Sequence, residues 1–347
     1  MADTIATLLL TWYDRHARTL PWRGIRDPYR TWVSETMLQQ TRVETVLGYY
    51  ARFVERFPTV ADLADAPEDE VLKCWEGLGY YSRARNLHAG AKQVMSEFGG
   101  VIPSSADRLL HLRGVGAYTA GAIASIAFDQ PVPAVDGNVI RVVSRIRGIR
   151  ENVGIPSVRR ALEQEAAALV PAERPGDFNQ AMMDLGATVC TPGTPSCERC
   201  PLSGTCDAFA AGDADELPVL PQKNPPKVID YAVCLIFSGG RVLMRQRTEA
   251  LLRGLWVFPM AEGTFTARTL PQAVHRLTHL TVRHVQDAGQ ARHVFTHRVW
   301  QMHLFTMSAD EQADAPAGYA FVPAEEMSAL AIPSAMKAAV QVVRERL

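Results

Sequence analysis

Four of the six cysteines, Cys190, Cys197, Cys200 and Cys206, stand within 17 residues, separated by six, two and five residues. Four thiolates this close can bind zinc or a [4Fe–4S] cluster. The unequal gaps are unlike the paired C-x2-C units of zinc ribbons. Interleaved Pro192, Pro195 and Pro201 keep the segment a loop wrapped round something, which favours iron–sulfur. A second candidate is the turn Gly114-Val115-Gly116 before Ala117-Tyr118-Thr119-Ala120. A G-x-G turn that opens a helix offers unpaired amides and a dipole suited to phosphate. Two carboxylates complete the set. Glu35 sits among apolar neighbours in Trp32–Leu38, where burial would keep a proton on it for donation. Alone, a glutamate on the polar side of that helix is the plainer reading. Asp136 precedes the helical stretch Val139–Ile146; it reads as an N-cap or as a carboxylate facing developing positive charge.

The elements that must position these groups are helical up to about Gly212. Helical periodicity runs through Arg30–Tyr49, Pro67–Trp75, Ser82–Phe98, Ala117–Phe128 and Val158–Val170. Breaks fall at Pro58, Gly77–Gly79, Gly99–Gly100, Gly114–Gly116 and Pro131–Pro133. The amphipathic stretch Ser105–Leu112 before the glycine turn reads either as a helix-hairpin-helix, which grips a DNA backbone without reading sequence, or as an ordinary glycine turn between two packed helices. Residues 213–227, with four prolines, read as an extended linker. Strands follow: Tyr231–Phe237, a Ser-Gly-Gly turn, Arg241–Arg247, Trp256–Pro259 and the β-rich His293–Met307, before a helical tail from about Ser334.

Composition sets outer limits. The 347 residues are 47% apolar and 21% charged, enough for two or three packed domains and too ordered in pattern for a disordered or collagen-like chain. Net charge is −1, so a nucleic-acid partner needs a local basic face. Arg141, Arg145, Arg147, Arg150, Arg159 and Arg160 form one candidate. Arg83 and Arg85, beside Tyr80 and Tyr81, form another, suited to stacking and backbone contact. No stretch reaches the length of a membrane span. The first residues read as an amphipathic helix, not a secretory signal, and a cytoplasmic, nucleoid-associated protein is expected.

Together these features resemble the adenine DNA glycosylase (MutY) family of helix-hairpin-helix, iron–sulfur glycosylases. The resemblance spans nearly the whole chain. It rests on Leu20–Arg23 (LPWR), Asp27–Thr41, Gly77–His88, the Gly-Val-Gly turn, Val135–Val142 (VDGNVIRV), Phe178–Gly186 (FNQAMMDLG) and the cysteine spacing. It implies a multidomain chain: an all-α glycosylase region with a [4Fe–4S] loop at 1–212, then an α+β Nudix-like domain at 228–347. Within the first, a six-helix lobe at 22–134 and an iron–sulfur lobe of 1–21 plus 135–212 are expected, with the DNA in the cleft between them.

The resemblance also implies roles. Glu35 matches the acid that protonates adenine at N7, and Asp136 the carboxylate that stabilises the oxocarbenium-like sugar. Tyr118 and Asn138 match supporting catalytic positions. Arg18, Trp22, Arg23 and Gln180 match the adenine pocket; Gln40 and Tyr80 match residues wedged into the duplex; Gly114 and Gly116 match the DNA-binding hairpin. Phe295, Thr296 and His297 match the loop that senses 8-oxoguanine, with threonine in place of serine. The cysteines match the ligands of the [4Fe–4S] cofactor. The implied substrate is double-stranded DNA with adenine opposite 8-oxoguanine or guanine, acted on by a monomer that meets repair proteins through its linker.

Related endonucleases place a lysine where Tyr118 stands, and only Lys73 and Lys92 occur in residues 1–212. A monofunctional glycosylase that leaves an abasic site is therefore expected. Residues 260–286 hold a single glutamate, Glu262, so the Nudix hydrolase box is missing. Arg113 in the hairpin and Asp129–Ala134 depart from the family pattern away from the chemistry. A thymine or uracil mismatch glycosylase is argued against by the pocket residues and the long C-terminal domain. A non-catalytic DNA-binding or redox protein is argued against by the joint presence of Glu35 and Asp136.

Overall fold

The structure is a computed structural model that describes residues 2–222 and 224–347. Met1 and Lys223, in the expected helical region and linker, lie outside the described residues. The helices run α1 (Ala2–His16), α2 (Pro28–Leu38), α3 (Val43–Arg56), α4 (Val60–Asp65), α5 (Glu68–Cys74), α6 (Ser82–Phe98), α7 (Ala106–Leu109), α8 (Ala117–Phe128), α9 (Gly137–Ile146), α10 (Pro156–Leu169), α11 (Pro175–Thr188) and α12 (Asp207–Ala211). Strands β1 (Lys227–Ser238), β2 (Arg241–Gln246), β3 (Trp256–Val257) and β4 (Met260–Glu262) follow, then α13 (Leu270–Thr278), β5 (Arg283–Val294), β6 (Arg298–Ser308), β7 (Ala320–Pro323) and α14 (Lys337–Arg346). Among the described residues, no helix is long and apolar enough to cross a membrane.

The chain divides into two compact units, Met1–Asp65 with Asn86–Gln222 and Ala66–Arg85 with Lys223–Leu347. In the first, α1 contributes Ile5 and Leu9, one turn apart, to a core shared with Val139, Val142, Val143 and Ile146 of α9. Leu162, Ala166 and Leu169 of α10 and Phe178, Ala181, Met182 and Leu185 of α11 complete it. These are helical spacings, and each large side chain withdrawn from water contributes about 1.5–3 kcal/mol. Pro-rich residues after 213 are not all free of this unit: Ala214 and Leu217 are buried.

Two helical readings are corrected. The periodicity of Arg30–Tyr49 is interrupted between α2 and α3, because Gln40 takes a left-handed backbone (φ 58°). Ser105–Leu112 contains only the single turn α7, whose N-cap Ser105 accepts from the Arg108 amide at 3.4 Å.

The second unit holds a seven-stranded sheet in the order β3-β2-β1-β6-β5, with β4 paired to β1 and β7 to β2. β1 runs parallel to β6, and the other pairings are antiparallel. Alternate β1 residues serve two cores. Val233 and Leu235 join Ala339 and Val343 of α14, while Ala232, Cys234 and Ile236 join Leu270, Ala273 and Val274 of α13. A strand covered on both faces reads as a continuous apolar run, as YAVCLIF does. His293–Met307 is two strands: the Phe295 amide donates to the Arg298 carbonyl at 2.8 Å and closes a turn over Phe295–His297.

Candidate active site

Glu35 is carried by α2. Asp27 caps that helix, accepting from the Tyr29 and Arg30 amides at 2.8 and 3.1 Å, and Pro28 occupies its first turn. Every α2 residue from Thr31 to Met37 is buried, Glu35 included at 5% exposure. Burial raises its carboxyl above the ordinary value of 4.5. The Tyr118 hydrogen bond and the Arg23 and Arg18 charges oppose that rise, and the Asp136 charge reinforces it. Tyr118 projects from the first turn of α8 and donates its hydroxyl to Glu35 Oε2. Burial, then the Glu35 and Asp136 charges, keep that phenol protonated. Tyr118 is thus a fixed donor to Glu35 Oε2, and Oε1 takes no part in that bond.

Asp136 is a helix cap and also borders the cavity described below. Its Oδ1 caps α9 by accepting from the Val139 amide at 2.7 Å, and its Oδ2 accepts from Asn138 Nδ2 at 2.9 Å. Burial raises its carboxyl, while those two bonds favour the charged form. Gly186 of α11 makes the arrangement possible, since a Cβ there would lie 2.6 Å from Asn138 Cβ. Arg141 then orients Asn138, donating from Nη2 to Asn138 Oδ1 at 2.8 Å and to Gly186 O at 2.7 Å, and from Nε to Cys190 O at 2.7 Å. Arg141→Gln removes most of these bonds and strands buried acceptors. A loss of about 2–4 kcal/mol is expected, read as a lower urea midpoint at unchanged m-value.

One cavity of about 1040 Å³ brings together Glu35, Asp136, Tyr118, Asn138, Arg18, Trp22, Arg23, Gln40, Gly114 and Gly116. Gly114 takes a left-handed backbone (φ 78°) to make the hairpin turn. Gln180 is not part of the wall. It is buried, and its Nε2 bonds back to Gly176 O at 3.3 Å within α11, whereas Met183 and Ala187 of that helix line the cavity. Thr119, Gln39, Leu20 and Leu38, which lie within the quoted motifs but carry no assigned role, also line it. Gln39 Nε2 donates to Thr119 Oγ1 at 3.2 Å.

The arginine cluster of residues 141–160 is not one solvated basic face. Arg141 and Arg145 are buried, Arg147 pairs with Glu165 at 2.9 Å, Arg150 with Asp213 at 2.6 Å, and Arg159 with Glu163 at 2.6 Å.

Residues 33–169 match the HhH-GPD superfamily of base excision DNA repair proteins, and residues 232–342 match the NUDIX domain. The adenine DNA glycosylase of Mus musculus is 38% identical over 95% of this chain and 76% of its own length. The chain belongs to the adenine DNA glycosylase family. Among solved structures, a thermostable thymine-DNA glycosylase is 31% identical, with a TM-score of 0.55 over 60% of this chain and 97% of its own. A non-covalent endonuclease III–DNA complex gives 25% identity and a TM-score of 0.51 over 61% of this chain and 98% of that one. This adenine DNA glycosylase family member is therefore a base-excision-repair enzyme: a helix-hairpin-helix glycosylase region followed by a Nudix-like domain. The thymine-DNA glycosylase shares the helical part of the scaffold, whereas the adenine DNA glycosylase of the mouse matches nearly the whole chain.

In this family member the four cysteines line one small pocket with Arg145, Val189 and Phe209. Arg145 Nη1 donates to Cys190 Sγ at 3.3 Å, and Cys206 Sγ donates to Arg145 O at 3.3 Å. Among the described residues, no three His, Cys, Asp or Glu converge tightly enough to hold a single metal ion. Four thiols round one pocket form a donor set for zinc or a polynuclear cluster. Burial pushes the free Cys200 thiol up to about 11, so its ligating form requires the positive charge of bound metal.

The second unit holds the remaining motif residues. Tyr80 has a left-handed backbone (φ 47°), a 46% exposed side chain, and a hydroxyl 3.0 Å from Thr296 Oγ1. Thr296 and His297 are exposed at the β5–β6 turn, while Phe295 packs edge-on against Trp300 at 4.8 Å. Phe295 is thereby anchored within its own unit. These residues and Leu251 and Leu252 border one pocket of this unit. Arg83 is buried with its guanidinium over the Trp75 and Tyr80 rings, so it supports Tyr80 from behind. In the Nudix-like part, α13 carries no carboxylate.

Proposed function

We propose that the enzyme excises adenine mispaired with 8-oxoguanine or guanine from duplex DNA, by hydrolysis, and leaves an abasic site. The observation that carries this reading is the cavity in which a buried Glu35, its carboxyl raised by that burial, and a hydrogen-bonded Asp136 face a common space. The base must leave the stack to reach them. Glu35 then donates its proton to the adenine ring nitrogen N7. The C–N bond breaks with its electron pair going to the base, and the sugar becomes an oxocarbenium-like cation. Asp136 stabilises that charge at close range, and water adds to the sugar with loss of a proton. Arg18, Trp22 and Arg23 hold the base.

Tyr118 lines the cavity as a phenol, and neither Lys73 nor Lys92 does. Without an amine to attack the sugar, no Schiff base forms and the strand stays intact. Gln40 and Tyr80 have backbones in a sparsely allowed region, as residues held ready to enter the duplex would. Phe295, Thr296 and His297 read the 8-oxoguanine opposite the adenine. Cys190, Cys197, Cys200 and Cys206 hold a [4Fe–4S] cluster, which supplies a structural anchor for their loop and no step of the hydrolysis.

Base release from duplexes with adenine opposite 8-oxoguanine, scored with and without alkali, tests the proposal. Strand breaks that appear only after alkali are expected, with no borohydride-trapped adduct. Breaks without alkali, or a trapped adduct, would overturn monofunctionality. Release only from thymine–guanine duplexes would favour the activity named for the thymine-DNA glycosylase scaffold.

A further inference from the structure

Asp184 has no motif role assigned to it, yet it is the most heavily engaged carboxylate beside the cavity. It lies on α11 and is fully buried, and it does not line the cavity wall. Its Oδ1 accepts from Arg18 Nε at 2.8 Å, lies 2.6 Å from Arg18 Nη2, and accepts from Arg23 Nη2 at 3.0 Å. Its Oδ2 accepts from the Arg18 amide at 3.2 Å and from Arg23 Nη1 at 3.4 Å. Arg23 Nη1 also reaches the Tyr13 hydroxyl of α1 at 2.5 Å. One carboxylate thus fixes two guanidiniums, and both guanidiniums line the cavity that Asp184 itself does not reach.

We propose that Asp184 is a positioning residue: it holds Arg18 and Arg23 against the adenine pocket and absorbs charge that would otherwise settle on Glu35. The groups acting on Glu35 are Tyr118 from α8, Asp136 before α9, and Arg18 and Arg23 from the segment after α1. The two arginines favour the Glu35 carboxylate, whereas catalysis needs the acid. A buried counter-charge on their far side turns both guanidiniums toward α11. The pocket thereby gains two hydrogen-bonding cations without surrendering the proton of its acid. This inference rests on Glu35 as the acid.

The test is the pH dependence of single-turnover adenine release, in which Glu35 appears as the alkaline limb. Asp184→Asn keeps an acceptor and removes the charge. Its limb is expected to move down by about one pH unit, with at least a tenfold slower rate on the alkaline side and recovery as the pH falls. Asp184→Glu restores the charge and is expected to return the limb to its wild-type position. Arg18→Met removes one cation and is expected to move the limb up. A profile of folded Asp184→Asn that superimposes on the wild type, or an upward shift, would overturn the proposal. Should that variant fail to fold by circular dichroism, Arg18→Met decides: an upward shift supports the proposal and an unmoved limb sinks it. Glu35→Gln separates the two claims. Full turnover in Glu35→Gln defeats the acid assignment itself; an inactive Glu35→Gln beside an unshifted Asp184→Asn defeats only the role of Asp184.

Discussion

Glu35→Gln is expected to slow adenine release by about 10²–10⁴-fold, the usual contribution of a positioned general acid, with duplex binding retained. Glutamine matches glutamate in shape, so its Oε1 still accepts from the Tyr118 hydroxyl that holds Glu35. What disappears is the proton. Adenine is a poor leaving group as an anion, and protonation before the C–N bond breaks removes that obstacle. Stability moves the other way. The folded chain raises the Glu35 carboxyl above its ordinary value of 4.5, chiefly by burial, so the native state binds the proton more tightly than the unfolded chain does. Wild-type stability from this group is full below that ordinary value and is lost as pH rises through the folded-state value. Glutamine has no proton to lose. The melting temperature of Glu35→Gln should therefore fall less than that of the wild type as the pH is raised from about 4.5. Single-turnover kinetics and thermal melts on one preparation check both halves. A variant that released adenine at the wild-type rate would reduce Glu35 to a buried structural carboxyl.

The sequence made much of this site legible because its main residues act locally. Asp136 lies immediately before a helix, so its capping role follows from position. The cysteine loop is read from spacing and proline content. Glu35 is surrounded in sequence by the residues that bury it. Other features depend on contacts that no local pattern carries. Asp184 sits 166 residues from Arg18, and its importance appears only when α11 lies beside the segment after α1. Gly186 looks like an ordinary helical glycine until Asn138 is found against it. The arginines of residues 141–150 look like a basic face in one dimension, and the fold spends them on buried carbonyls and ion pairs. Gln180 shares a motif with cavity residues, yet its rotamer bonds it to its own helix.

The fold shows the same division. Continuous apolar alternation marked β1 and β2, whereas β5 has a mostly exposed, polar pattern that carries little strand signal by itself. It is held by its long pairing with β6. Residues 66–85 join the second unit through tertiary packing: Lys73 Nζ donates to Leu330 O at 2.8 Å, and the Ile332 amide donates to Glu76 Oε1 at 2.8 Å. Composition changes near residue 213, and nothing in it marks those twenty residues as belonging elsewhere.

Asp136→Asn should cost about 10²–10³-fold in rate, comparable to the loss of a preorganised electrostatic group at a developing charge. The substitution separates capping from catalysis. Asparagine caps a helix as well as aspartate does, so its Oδ1 can still accept from the Val139 amide. Its Nδ2 then faces Asn138 Nδ2, where a donor–acceptor bond of 2.9 Å stood before. Asn138 cannot turn its amide to relieve this, because its Oδ1 is held by Arg141 Nη2 at 2.8 Å. The single variant therefore loses both the charge and the alignment of Asn138, at a stability cost of about 1–3 kcal/mol. The double variant Asp136→Asn, Asn138→Asp restores a donor opposite an acceptor and gives Arg141 a carboxylate. It is expected to regain most of the lost melting temperature. Its rate should stay low, because its negative charge is now engaged by Arg141 instead of facing the sugar. If the double variant recovered the rate along with the stability, the alignment of the pair would matter and the position of the charge would not. If Asp136→Asn alone kept its rate within tenfold of the wild type, Asp136 would be a helix cap and the stabilisation of the sugar cation would have to come from elsewhere in the cavity.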